Sequence, residues 1–217
     1  MCHELLLHWY VSCSPQGVVL ADSLLAAGDK SDAERELQTI FDVHQPVMGE
    51  LKEMPYVELQ QSLAAKQPEG LWYERGILTQ SLHPDLIAAC VAAFAEAPLP
   101  SAMIGFLQMG GAVRDVAPNE TAYYHRTAEW WILVLCNFQH KEQRPKVADW
   151  CRTLYQKMAS FACGSYSNVI GDMTSPIDKV YGNNLDRLQK LKQRYDAHNF
   201  FHHNRNIVPK LTPTGNM

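Results

Sequence analysis

The sequence predicts an α+β fold: a mainly antiparallel sheet with helices packed on one face, plus a C-terminal helix and tail. Three observations predict it. Two strand-like stretches flank Ser14-Pro15-Gln16-Gly17 closely enough to form a hairpin. Helical stretches with one apolar stripe are inserted between further strand-like runs. A last periodic segment, residues 185–195, gives way to a tail rich in Asp and Asn, which favour turns.

Residues 4–12 are rich in Leu, Trp, Tyr and Val and read as a strand, with residues 18–25 as its hairpin partner. Ser31 and Glu34 have the capping-box spacing, and Ala33, Leu37, Ile40 and Phe41 stripe the helix behind them. Residues 46–51 read as a short strand. Residues 55–63 read as a short helix, with Pro55 suited to its first turn. Residues 70–78 are again strand-like.

Pro84 opens a helix with Leu86, Ile87, Cys90, Val91 and Phe94 on one face, which stops before Pro98 and Pro100. Residues 102–108 form a strand that runs into Gly110-Gly111, with residues 112–116 continuing beyond the break. Residues 129–138 are apolar on both faces and suit a central strand, so Trp130 and Trp131 read as its core and opposite-face residues. Val147, Trp150, Cys151, Leu154, Met158 and Phe161 stripe a long helix that begins near Pro145. Residues 164–168 form a short extended piece. Leu185, Leu188, Leu191 and Tyr195 stripe the final helix, with Asn183 or Asn184 as its cap.

Bulk properties exclude several functions. A net charge of −4 gives no basic field for nucleic acid. The longest apolar run, residues 130–136, falls far short of the ~20 residues that a membrane helix needs. The start, MCHELLLHWYVSCS, lacks the basic region and apolar length of a signal peptide, so a cytoplasmic location is expected. The six cysteines form no CxxC pair and read as buried thiols. His198, His202 and His203 have no carboxylate or cysteine to complete a ligand set, so no metal is expected.

The tail carries a recognisable pattern. Tyr181, Gly182, Asn184, Arg187 and Leu188 follow Y-G-x-N-x-x-R-L. Leu191, Lys192, Tyr195, Asp196, Asn199 and Phe201 follow L-K-x-x-Y-D-P-x-N-x-F, with Ala197 in place of the proline. Asn204, Asn206 and Ile207 complete N-x-N-I. This resembles the C-terminal end of the berberine-bridge-enzyme-like FAD-linked oxidases. Met54-Pro55-Tyr56, Gly110-Gly111-Ala112, His125-Arg126 and Tyr166-Ser167-Asn168 follow in the order of that family's substrate-binding domain.

The resemblance implies a substrate-binding α+β domain at residues 1–162. Residues 163–217 would be a C-terminal segment that docks on a flavin domain absent from this chain. It implies oxidation of a small organic substrate (alcohol, sugar or alkaloid-like) by hydride transfer to FAD in the complete enzyme. This chain alone is not expected to hold FAD. Its partners would be that substrate and a separate flavin-binding domain or subunit. The competing expectation is a non-catalytic truncated or split-subunit module with no flavin of its own.

Four residues stand out as candidates. On the residues alone, Tyr166 suits a ring packed at a strand end and Asn168 a turn. The resemblance places both against the flavin and makes Tyr166 the catalytic acid or base, a role that a phenol can fill. Phe106 and Gln108 share a strand face and are expected to form the substrate wall, and the glycines beyond them suit either a ligand approach or a bulge. His125-Arg126 suits either a base and anion clamp or, as preferred, a loop packed by hydrogen bonds.

Overall fold

The computed structural model describes residues 5–14, 17–26, 29–43, 47, 52–65, 68–168, 176–203 and 205–210. Its strands are β1 (Leu5–Ser14), β2 (Gly17–Ala26), β3 (Leu71–Thr79), β4 (Ala102–Gln108) and β5 (Trp130–Phe138). Its helices are α1 (Lys30–Val43), α2 (Tyr56–Ala65), α3 (Pro84–Phe94), α4 (Arg144–Met158), α5 (Ile177–Tyr181) and α6 (Leu185–Tyr195). Among the described residues the sheet has five strands in the order β2-β1-β4-β5-β3, and every neighbouring pair is antiparallel. The fold is the expected α+β.

The pleat sends alternate side chains of each strand to opposite faces. One face carries Tyr73, Ile77, Ile104, Phe106, Ile132, Val134 and Phe138 and is covered by α3 and α4. From α3 come Leu86, Cys90 and Phe94, and from α4 come Val147, Cys151, Leu154 and Met158. Pro84 starts α3 where its missing N–H costs nothing, and the His83 side chain accepts the Asp85 N–H. The Trp150 indole donates to the Ala93 carbonyl at 2.8 Å and locks the two helices together. The other face carries Leu107, Leu133 and Leu135, with Met103 and Trp131 packed beside them. No helix among the described residues is long and apolar enough to cross a membrane.

Several local expectations need correction. The cap of α1 is Asp29: its carboxylate accepts the Ser31 N–H at 3.0 Å, so Ser31 lies inside the first turn. An aspartate directly before the helix meets the free N–H groups and the positive end of the helix dipole together. On α3, Leu86, Cys90 and Phe94 are buried, but Ile87 and Val91 are 40% and 63% exposed. Successive helical residues lie ~100° apart, so one side of the stripe stands clear of the packed core. With Val11, Leu20 and Phe106 of the sheet, that side lines an apolar groove of about 540 Å³.

Residues 112–116 do not continue β4. Gly110 and Gly111 take φ of 108° and 51°, and a single 3-10 turn follows at Gly111–Val113. Left-handed backbone of this kind ends a strand. Asn184 does not cap α6; its amide is drawn to a loop on its other side. The strand expected at residues 46–51 lies outside the described residues apart from Val47, which is in a bend.

The core predicts a sharp contrast. Leu154→Ala, at a fully buried position, should cost about 2–5 kcal/mol. Val91→Ala, on the exposed side of α3, should stay within about 0.5 kcal/mol. Urea unfolding midpoints of the two variants measure this.

Candidate active site

The C-terminal segment joins the sheet at its β3 edge. The Leu78 N–H donates to the Gly164 carbonyl at 2.9 Å, and the Cys163 N–H donates to the Leu78 carbonyl at 2.8 Å. This pairing lays residues 165–168 across the sheet face opposite α3 and α4. That face presents Trp131 and Leu107, which are register partners, and Leu78, which also pairs with Trp131. Tyr166 meets the Trp131 ring edge-on at 5.2 Å between centroids and the Tyr123 ring at 5.9 Å. Such edge contacts are a favoured aromatic geometry.

Together these groups bound a cavity of about 700 Å³. Its floor is Leu78, Leu107 and Trp131. One wall is Met109, Val113, Ala122, Tyr123 and Arg126, and the other is Ser165 to Asn168 with Val180 and Tyr181. Gln108, the last residue of β4, stands at the mouth.

The loop of residues 109–128 is fixed from both sides. Its two ends meet at Glu129, whose carbonyl accepts the Met109 N–H at 2.7 Å and whose carboxylate pairs with Arg114. Arg126 holds the loop from within, donating to the Thr121 hydroxyl at 2.6 Å and the Val113 carbonyl at 3.3 Å. Its guanidinium also stacks over the Tyr123 ring at 5.0 Å. From outside, Asn184 donates to the Pro118 and Thr121 carbonyls at 2.6 and 3.1 Å, and Arg187 donates to the Asn119 carbonyl at 2.8 Å.

Two glycines make this docking possible. A Cβ at Gly164 would overlap the His125 ring, and one at Gly182 would overlap the Tyr124 ring. Gly182 also has φ of +50°, which side chains rarely adopt. His125 is buried, with Nε2 2.8 Å from the Lys179 carbonyl, to which it donates in its neutral form. Burial pulls its pKa below the ordinary 6.5, against the opposing effect of the Lys179 and Val180 backbone. The preferred packing role for His125 agrees with this placement.

Of the four candidates, the cavity brings together Tyr166, Asn168 and Gln108. Phe106 does not join them. It is 7% exposed, in the core beneath α3, and lines the apolar groove instead. Gln108 has the same parity as Phe106, but it is the end of the strand, where the chain leaves the sheet toward Gly110. Sequence reasoning missed Tyr123 and Tyr181 as site residues, named Arg126 only as the less favoured anion clamp, and took Trp131 as a strand residue. Trp131 was legible as an opposite-face residue; that this face is a cavity floor depends on where residues 163–168 fold back.

The Tyr123 hydroxyl is buried without a hydrogen-bond partner, as are Nε1 of Trp131 and Nε of Arg126. Burial pushes the Tyr123 phenol up to about 12, reinforced by neighbouring Tyr166 and opposed by Arg126. Its proton is therefore held at neutral pH.

Of the segment expected to dock elsewhere, Cys163 and Gly164 are hydrogen-bonded to Leu78, and Asn184 and Arg187 to the 109–128 loop. Beyond α6, the Asp196 carboxylate accepts the Phe200 and Phe201 N–H groups at 2.7 and 3.0 Å and pairs with Lys192. The two phenylalanine side chains are 75% and 76% exposed.

Comparison with known proteins points one way. Residues 165–208 match the family model described as berberine and berberine like. The chain is 30% identical over 202 residues to an FAD-linked oxidoreductase of Dictyostelium discoideum, covering 92% of this chain and 44% of that protein. It is 25% identical over 186 residues to YgaK, an uncharacterised FAD-linked oxidoreductase of Bacillus subtilis, covering 84% and 41%. A variant of berberine bridge enzyme in complex with (S)-reticuline superposes with a TM-score of 0.80 at 18% identity, over 96% of this chain and 49% of that one. A berberine-bridge-enzyme-like protein of Arabidopsis thaliana, number 28, gives 0.75 at 20%, over 96% and 51%. At these identities the structural likeness is one of fold. The chain spans about half the length of the relatives it matches.

Two predictions follow from the docking. Gly164→Ala should cost about 1–3 kcal/mol, since the buried His125 ring has no free space to move into. Stability should also fall as pH drops below about 6.5. The folded pKa of His125 is depressed, so its contribution is complete above the unfolded value and is lost as pH falls through that value toward the folded one. Urea midpoints between pH 7.5 and 5 measure the slope, and His125→Gln should flatten it.

Proposed function

We propose, on the premise that this chain belongs to the berberine-bridge-enzyme-like FAD-linked oxidase family, that it forms the substrate side of a flavin-dependent oxidoreductase site. The observation that carries this reading is the convergence of Tyr166, Asn168 and Gln108 on one aromatic-walled cavity.

The cavity suits a flat ring. Trp131, Tyr123 and Tyr166 offer apolar faces and edges, and the exposed Asn168 and Gln108 at the mouth are neutral groups able to donate to the polar edge of an isoalloxazine. Flavin, when bound there, supplies a two-electron acceptor for the substrate C–H bond.

Tyr166, half-buried at the cavity wall, takes the substrate hydroxyl proton on Oη when in its phenolate form and becomes the neutral phenol. The edges of Trp131 and Tyr123 fix its ring, so the hydroxyl needs little reorganisation before it acts. Gln108 hydrogen-bonds substrate at the mouth without adding charge. Phe106 supports β4 from the core side and stays out of contact with substrate. The flavin-holding region belongs to another domain or subunit, and Phe200 and Phe201 are the side chains that region would cover.

Two experiments test this. The purified chain, mixed with FAD and freed of excess, should come out colourless; a stoichiometric yellow protein would show that it holds flavin by itself. In an enzyme completed with a flavin-binding region, Tyr166→Phe should lower kcat/KM by about 10²–10⁴-fold. There Gln108→Ala should change kcat/KM far more than the melting temperature. Kinetics unchanged in both variants would remove the site reading.

A further inference from the structure

Among the described residues that line the cavity, Arg126 is the single charged one. No ion pair is formed by Arg126 among the described residues. Its partners are a hydroxyl, a carbonyl and the face of Tyr123. Each stabilises a cation, but none neutralises it. A guanidinium half-buried beside an apolar cavity ordinarily has a carboxylate partner, because an unpaired charge is costly to desolvate. Arg114, a few residues away in the same loop, has one in Glu129.

The rest of the wall adds to the same imbalance. Tyr123 Oη, Trp131 Nε1 and Arg126 Nε all carry hydrogens, and none has an acceptor. Oriented N–H and O–H groups place partial positive charge around a site even where a ligand does not touch them. Among the described residues of the lining there is no carboxylate to set against them. The described lining therefore carries one formal positive charge over aromatic and aliphatic walls.

We infer that the substrate this cavity takes is an aromatic or similarly flat apolar alcohol that bears a carboxylate, and that Arg126 is the specificity-determining residue that receives it. The inference rests on the reading of the cavity as the substrate site. The apolar ring lies against Trp131 and Tyr166. The carboxylate lies toward Arg126, where the guanidinium N–H groups not bound to Thr121 and Val113 meet it. A charge-assisted pair in such a site is among the stronger polar contacts. A cationic amine would meet Arg126 with no compensating carboxylate, and the cavity rejects it by repulsion.

The test uses the 217-residue chain as it stands and three probes with the same ring and alcohol: 4-(hydroxymethyl)benzoate, benzyl alcohol and 4-(aminomethyl)benzyl alcohol. Dissociation constants come from NMR titration. The expected order is anion tighter than neutral tighter than cation, with about tenfold or more between anion and cation. Arg126→Gln should bring the three within about twofold, and Arg126→Lys should restore part of the order. The ranking on the unaltered chain needs no variant, so a variant that misfolds does not spare the proposal. If the probes bind, lose binding in Tyr166→Ala, and yet show no preference for the anion, this inference is overturned while the cavity reading stands. If no probe binds, or Tyr166→Ala leaves binding untouched, the cavity reading is overturned and this inference with it.

Discussion

The site depends on one act of docking: the loop of residues 122–126 seats against Gly164 and the stretch from Lys179 to Asn184. His125 fills the space that Gly164 leaves and Tyr124 the space that Gly182 leaves. Asn184 then ties the loop at Pro118 and Thr121. Close packing leaves no slack at either glycine, because backbone and ring approach closer than any side chain would allow. Tyr123, Arg126 and Tyr166 are thereby held around Trp131. None of them is placed by the sheet alone; the sheet supplies a floor, and this contact supplies both walls.

The sheet divides its labour between two faces. The face under α3 and α4 is filled by aliphatic and aromatic side chains and contributes stability. The opposite face has a smaller cluster, Leu107, Leu133 and Leu135, and Leu78, Leu107 and Trp131 on it line the cavity. β4 serves both. Phe106 is committed to the core, while Gln108, two residues on, reaches the mouth because Gly110 turns the chain out of the sheet. An open antiparallel sheet with one solvated face is the arrangement that allows this.

Much of the fold was legible because it is written in local periodicity. α3, α4 and α6 follow helical stripes that their own residues carry, the hairpin follows strand-rich runs around a turn, and β5 follows a run apolar on both faces. The failures have different causes. Asn184 had the composition of a cap, but carbonyls of a distant loop claimed its amide. Ser31 had the capping-box spacing, yet Asp29 offered a charged acceptor two residues earlier. Ile87 belonged to the apolar stripe of α3, but it faces the groove over β1 and β2 rather than the packed core. At the site, Tyr166 and Asn168 were named through family resemblance. Arg126 was weighed there as an anion clamp but set below a packing role, and Trp131 was read only as a strand residue, because the cavity beside it depends on Tyr166, 35 positions away.

The cavity also has a place in the order of synthesis. Its floor is complete once β5 has been made, but its walls wait for residues 163–184. At ribosomal rates on the order of 5–20 residues per second, some fifty residues separate Trp131 from Tyr181 by several seconds. During that interval the sheet can form under α3 and α4 while Leu107, Leu133 and Trp131 face water. A nascent chain therefore presents its future binding surface as a sticky apolar patch, the kind of surface that chaperones bind. Release of the C-terminal segment from the ribosome ends that exposure, and the same residues that shape the site are the ones that make the young protein safe from aggregation.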